Sequence, residues 1–143
     1  MIPQQEQHPL ILDFASDSNP GGGCRGDQQG TQEECLCRQS SLLPSLEKQE
    51  YPIPRLGCIY APDVCVFRGG EDQGYPLLAE PFWVSVVAAA LPNCGGQLDG
   101  KQRTFVAQKI RSVLAVAIQN NHRQLVLGAW GCGAFGNDKG EVA

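Results

Sequence analysis

Leu10-Ile11-Leu12-Asp13-Phe14-Ala15-Ser16-Asp17-Ser18-Asn19-Pro20-Gly21-Gly22-Gly23 is the segment around which the rest of the chain is organised. Its first six residues form a short apolar run interrupted only by Asp13, and the next five are turn formers. That is the pattern of a buried strand running into a loop. Three successive glycines then leave a backbone free to take φ > 0 and to touch a ligand with no Cβ in the way. After a further seven residues, Thr31-Gln32-Glu33-Glu34 reads as a helix start, with Thr31 at the N-cap and Glu34 at N3 of a capping box. Strand, glycine loop and helix follow one another in the order by which α/β folds build ligand sites at strand ends.

Outward from this unit, the helix is expected to run from about Gln32 to Leu43 and to stop before Pro44. Residues 44–55 carry three prolines and read as surface connection. Leu56–Tyr60 and Val64–Arg68 suggest two extended segments around a bend at Ala61-Pro62-Asp63, followed by a glycine-broken loop from Gly69 to Pro76. Phe82–Ala88 is a strand by its β-branched content, and Leu91–Gly100 a loop. Thr104 to about Asn120 is the clearest helix, with Val106, Ile110, Val113, Leu114, Ala117 and Ile118 on one stripe and Lys109 off it. Gln124–Ala129 reads as a strand buried on both faces. It opens into a second glycine loop, Gly131-Cys132-Gly133-Ala134-Phe135-Gly136, after which Asn137 or Asp138 caps a further helix. Strands alternate with helices throughout, so the fold class is α/β with a largely central sheet.

At 143 residues the chain is one domain, 42% hydrophobic and 18% charged. Residues 1–9 form a flexible lead-in and 10–143 the domain. A net charge of −4 argues against a broad phosphate-backbone footprint, so direct nucleic-acid binding is not expected. No apolar run is long enough to span a membrane, and Met1–Glu6 lacks signal-peptide features. Seven cysteines without a secretory leader read as reduced thiols in the cytoplasm. Cys35 and Cys37 have no second pair at ligand spacing, so no metal is assigned.

The paired carboxylates and glycine loops are the candidates for chemistry. For Glu33 and Glu34 the bland reading is helix capping and complementation of the helix dipole. Set beside a close-approach loop, they also suit acid–base work on an anionic sugar-phosphate held at the helix N-terminus. Neither loop is a Walker sequence or a spaced dinucleotide fingerprint. Phe135, between Ala134 and Gly136, is placed to stack on or orient a ligand. His8 and His122 lie in the lead-in and in a helix–strand turn, which leaves no base for a nucleophilic serine or cysteine.

The triple glycine followed by Gln32-Glu33-Glu34 resembles the signature of poly(ADP-ribose) glycohydrolases. Leu12–Ser16, Ile59–Val64 and Val126–Asn137 are similar to the bacterial type of that family. The resemblance implies a macrodomain-like fold, a mixed sheet between helices, here shortened at both ends, without the helix and strand that follow the second glycine loop in such proteins. It implies hydrolysis of ribose–ribose bonds in poly(ADP-ribose) or on ADP-ribosylated protein, releasing ADP-ribose with no cofactor or metal, as in reversal of ADP-ribosylation during the DNA damage response. Glu34 would be the general acid and Glu33 would bond ribose hydroxyls. Asn19, Gly21, Gly22, Gly23 and Gln32 would lie along the terminal ribose and diphosphate. Gly131, Cys132, Gly133 and Ala134 would cradle the diphosphate, and Phe135 would orient the distal ribose. The alternatives are a non-catalytic ADP-ribose reader and an inactive shortened member.

Overall fold

The computed structural model describes residues 8–27, 30–133 and 135–142. Residues 1–7 of the expected flexible segment, and Ala134 of the second glycine loop, lie outside the described residues. In chain order the elements are β1 (Leu10–Phe14), α1 (Gln32–Gln39), α2 (Leu42–Leu46), β2 (Ile59–Arg68), a 3₁₀ turn (Glu71–Gln73), β3 (Leu77–Ala89), α3 (Gly100–Gln119), β4 (Leu125–Val126) and α4 (Lys139–Val142). The sheet order is β2-β3-β1-β4; β1 runs parallel to β3 and β4, while β2 is antiparallel to β3. This is the expected mixed sheet with helices on both faces.

Strand alternation sorts the core into two layers. Val84, Val86 and Ala88 of β3 pack with Val64 and Val66 of β2 and with Cys37, Leu42 and Leu46 of α1 and α2. Val87 and Ala89, with Leu10 and Leu12 of β1, face Phe105, Val106, Val113 and Ala117 of α3. Each buried Val, Leu or Phe side chain among these contributes about 1.5–3 kcal/mol. His8 and Pro9 extend the pairing of β1: the Pro9 carbonyl accepts from Ser85 N at 3.0 Å, and the His8 carbonyl lies 3.0 Å from His122 Nδ1.

Several expectations are corrected. The first helix does not continue to Leu43; it breaks at Ser40, which bridges Val66 in extended conformation, while Ser41 N and Oγ bond Cys65 across the open edge of β2. Pro44 then sits inside α2, in the first helical turn, where its missing N–H costs nothing. The two extended segments around Pro62 are one strand with a register shift between Ala61 and Val64, where Asp63 takes φ 53°. β3 begins earlier than expected, at Leu77. α3 begins at Gly100 because Asp99 and Gln102 form a reciprocal capping box.

The buried face of α3 is rotated from the expected stripe, so Leu114 and Ile118 are exposed and Lys109 is buried. Lys109 Nζ is satisfied there by the carbonyls of Arg55 and Gly57 (3.1 and 2.5 Å). The segment 124–129 pairs only through Leu125 and Val126, and Leu125–Leu127 are exposed rather than buried on both faces, because β4 is an edge strand paired on one side. Among the described residues no helix is long and apolar enough to cross a membrane.

Candidate active site

β1 ends at Phe14, a short turn carries the chain from there into the triple glycine, and α1 returns its first turn beneath that loop. Gln32 ties the two together: its side-chain amide donates to the Leu12 carbonyl and accepts from Phe14 N, both at 2.7 Å, continuing the β1 ladder with a side chain. Glu33 accepts from Ser16 N at 2.7 Å and from Gly21 N at 3.0 Å. Glu34 accepts from Gly23 N at 2.9 Å and from the Thr31 hydroxyl. Thr31 is the N-cap in backbone geometry, yet its side chain makes no cap bond. The expected capping box is therefore absent, and the hydroxyl donates to the Glu34 carboxylate instead.

The two carboxylates straddle Gly22. A Cβ on that residue would stand 2.4 Å from Glu34 Oε1 and 3.0 Å from Glu33 Oε2, on backbone at φ +54°. Only glycine lets the chain pass this close in this conformation. Gly21, at φ +72°, is closed in by Leu43, Cys24 and Cys37.

Burial and hydrogen bonding split the two glutamates. Desolvation, with the neighbouring Glu34 charge, pushes Glu33 up to about 7, although the Ser16 and Gly21 amides oppose the rise. For Glu34 burial acts in the same direction. The Thr31 hydroxyl, the Gly23 amide, its own backbone N–H and the Arg38 charge together outweigh it and hold Glu34 below the ordinary carboxylate range. Behind them Asp13 is fully buried, and neither carboxyl oxygen has a hydrogen-bond partner among the described residues. Burial first, then the charges of Glu33 and Glu34, raise its pKa well above the usual value, so it is held neutral.

Across a cavity of about 650 Å³ lies the second glycine loop. Trp130 anchors it, donating Nε1–H to the Ala89 carbonyl at the end of β3 (3.0 Å). Buried Asn137 anchors its far side, accepting from Cys94 N (2.9 Å) and donating to the Pro92 carbonyl (3.1 Å). Asn137 is thereby a loop tie rather than a helix cap; Asp138 caps α4, accepting from Gly140 N at 2.8 Å. Gly131 takes φ +71° with Asn137 Nδ2 2.7 Å from where a Cβ would be, so this glycine too is required by both conformation and space.

Of the residues singled out from the sequence, Asn19, Gly22, Gly23, Gln32, Glu33 and Glu34 line this cavity from one side. Gly131, Cys132, Gly133 and Phe135 line it from the other. Gly21 does not reach it; its amide is spent on Glu33. Sequence reading missed Phe14, Ser16, Gly30, Thr31, Ala129 and Lys139, which complete the wall. Asp13 was also missed as a site residue, although a lone carboxylate inside an apolar strand is a legible signal.

A family described as the catalytic domain of microbial-type PARG matches residues 1–69. Among solved structures, the poly(ADP-ribose) glycohydrolase of Thermomonospora curvata is 36% identical with a TM-score of 0.78, over 96% of this chain and 54% of that one. The same protein bound to the inhibitor ADP-HPD gives 37% identity, a TM-score of 0.80, and coverage of 96% and 56%. The poly(ADP-ribose) glycohydrolase of Deinococcus radiodurans in complex with ADP-ribose gives 34%, 0.76, and 94% against 59%. The chain thus spans little more than half the length of the proteins it matches. No curated protein matches it.

Proposed function

We propose that this chain, which belongs to the microbial-type poly(ADP-ribose) glycohydrolase family, hydrolyses the ribose–ribose bonds of poly(ADP-ribose) and releases ADP-ribose. The observation that carries this reading is the pair of buried glutamates hung on a triple-glycine loop and facing a second glycine loop across one cavity. The solved relatives bound to ADP-HPD or in complex with ADP-ribose support the ligand class.

In this scheme Glu34 donates a proton to the leaving ribose oxygen, the glycosidic bond breaks through an oxocarbenium-like centre, and water adds while returning a proton to the carboxylate. Thr31 and Gly23 hold Glu34 ionised in the open site. Substrate entry would expel water and compete for those bonds, raising its proton affinity to the range an acid needs. Glu33, spending both oxygens on backbone amides, shapes the loop that lies along the ribose as well as offering its remaining lone pairs to a hydroxyl. Backbone groups of Gly131–Gly133 would take the diphosphate, and Phe135 the distal ribose.

The substrate class extends to ADP-ribosylated protein, which would place the chain in removal of the modification after DNA damage. The seven cysteines are all unpaired thiols, in keeping with a cytoplasmic setting.

The test is ADP-ribose release from poly(ADP-ribose), with EDTA present, by the wild type and by Glu34→Gln. Release by wild type alone is expected, and equal release by both would remove Glu34 from the acid role. A second reading, a module that binds ADP-ribose ends without cleaving them, is favoured by the ionised state of Glu34 and by the short, exposed β4. ADP-ribose affinity without release, in both proteins, would select it.

A further inference from the structure

A second set of contacts reaches the site from the loop between β2 and β3, which has no part in the hydrogen bonds to the triple glycine. The Glu71 carboxylate accepts from Gly30 N with both oxygens, at 3.3 and 3.1 Å. Cys35 Sγ lies 3.5 Å from Glu71 Oε2, and Arg38 Nη1 lies 3.9 Å from Oε1, so Glu71 grips α1 as well as the residue leading into it. Tyr75 closes the group, its hydroxyl donating to Cys35 Sγ at 3.5 Å from a left-handed backbone at φ 57°. A non-glycine residue keeps that conformation only when its surroundings impose it.

Gly30 itself takes φ +76°, and nothing stands within 4 Å of where its Cβ would be. No described neighbour restrains the open side of this residue, and Glu71 grips its amide. The next residue is Thr31, whose hydroxyl donates to Glu34 Oε2.

We propose that Glu71 is a positioning residue for the site: through the Gly30 amide it fixes the Thr31 hydroxyl on Glu34, and so sets both how that carboxyl faces the cavity and when it takes up a proton. The inference rests on the reading of Glu34 as the acid, but its structural half can be tested without turnover.

Several groups surround Glu34. Glu33 and Arg38 share its helix, Asp13 faces it from β1, and Thr31 and the Gly23 amide reach it from the loops. Glu71 stands behind Gly30, and Lys139 lines the opposite wall of the cavity. Two effects of removing Glu71 then have opposite signs. Loss of a negative charge nearby lowers the proton affinity of Glu34, whereas release of the Thr31 hydroxyl from the carboxylate raises it.

The experiment follows the Glu34 carboxyl by ¹³C NMR titration in the wild type, Glu71→Ala, Glu71→Gln, Thr31→Val and Thr31→Ser, with ADP-ribose release measured alongside. Glu71→Ala and Thr31→Val are each expected to raise the midpoint by about half a pH unit or more, and the double variant no further than either. Glu71→Gln, whose amide oxygen still accepts from Gly30 but which loses the charge, is expected at or slightly below the wild-type midpoint, and Thr31→Ser near the wild type. The alkaline limb of kcat/KM moves upward in the same variants. A midpoint that falls or stays in Glu71→Ala overturns the proposal, as does an unchanged midpoint in Thr31→Val; Glu71→Ser replaces the alanine variant if that one fails to fold. If the wild type releases no ADP-ribose, the glycohydrolase reading fails while the titration still decides the positioning role.

Discussion

Replacing Gly22 by alanine perturbs the site at its tightest point. The new methyl would stand 2.4 Å from Glu34 Oε1, where ordinary contact begins at 3.4 Å, so the carboxylate must retreat by about 1 Å. That retreat breaks or weakens the bond from Gly23 N, a charge-assisted hydrogen bond of about 1.5–3 kcal/mol. The left-handed backbone adds about 1–2 kcal/mol for a residue with a Cβ. Together these put the expected loss of stability at about 2.5–5 kcal/mol, and a displacement of this size at a catalytic group costs on the order of 10²-fold in kcat. Two sibling variants separate the causes. Gly30→Ala shares the positive φ but meets nothing within 4 Å, so it should lose only about 1–2 kcal/mol. Gly26→Ala has neither feature, its nearest neighbour being Gly23 O at 3.5 Å, and should change stability by less than about 0.5 kcal/mol. Urea denaturation and ADP-ribose release on the three proteins decide the matter. If Gly22→Ala behaves like Gly30→Ala in both assays, the carboxylate is not held against the glycine and the reasoning fails.

Two further outcomes are expected. Glu33 keeps its proton in the folded state up to about 7 against 4.5 for the free group, so the stability it contributes is present below pH 4.5 and drains away as the pH rises to 7. One group so shifted accounts for roughly 3 kcal/mol. Glu33→Gln should flatten the slope in denaturation curves taken across that window, and a slope that persists would move its origin to Asp13. Lys109→Met keeps the apolar stem but leaves the Arg55 and Gly57 carbonyls without their donor, and should destabilise by about 2–4 kcal/mol. A midpoint equal to wild type would mean water replaces the ammonium.

Local pattern alone was enough for β1, for the start of α1 at Gln32, for the two glycine loops and for most of the cavity wall, because each rests on neighbours within a few residues. The apolar run, the turn formers and the missing Cβ atoms act through the backbone of their own segment. The break at Ser40, the burial of Lys109 and the exposure of β4 did not follow from pattern. They depend on partners far along the chain: the open edge of β2, the carbonyls of Arg55 and Gly57, and the pairing of β4 on one side alone with incomplete cover over Leu125–Leu127.

The site divides in the same way. Two adjacent glutamates at a helix start are legible as a candidate acid pair, but their states are not, since residues of one type in one turn differ only through what surrounds them. Tertiary structure buried Glu33 against two backbone amides beside Asp13, and gave Glu34 the Thr31 hydroxyl and the Gly23 amide. Desolvation and hydrogen bonding are properties of a place rather than of a residue. The sequence by itself therefore determined which groups meet at the strand end, and only the folded chain decided which of them holds a proton.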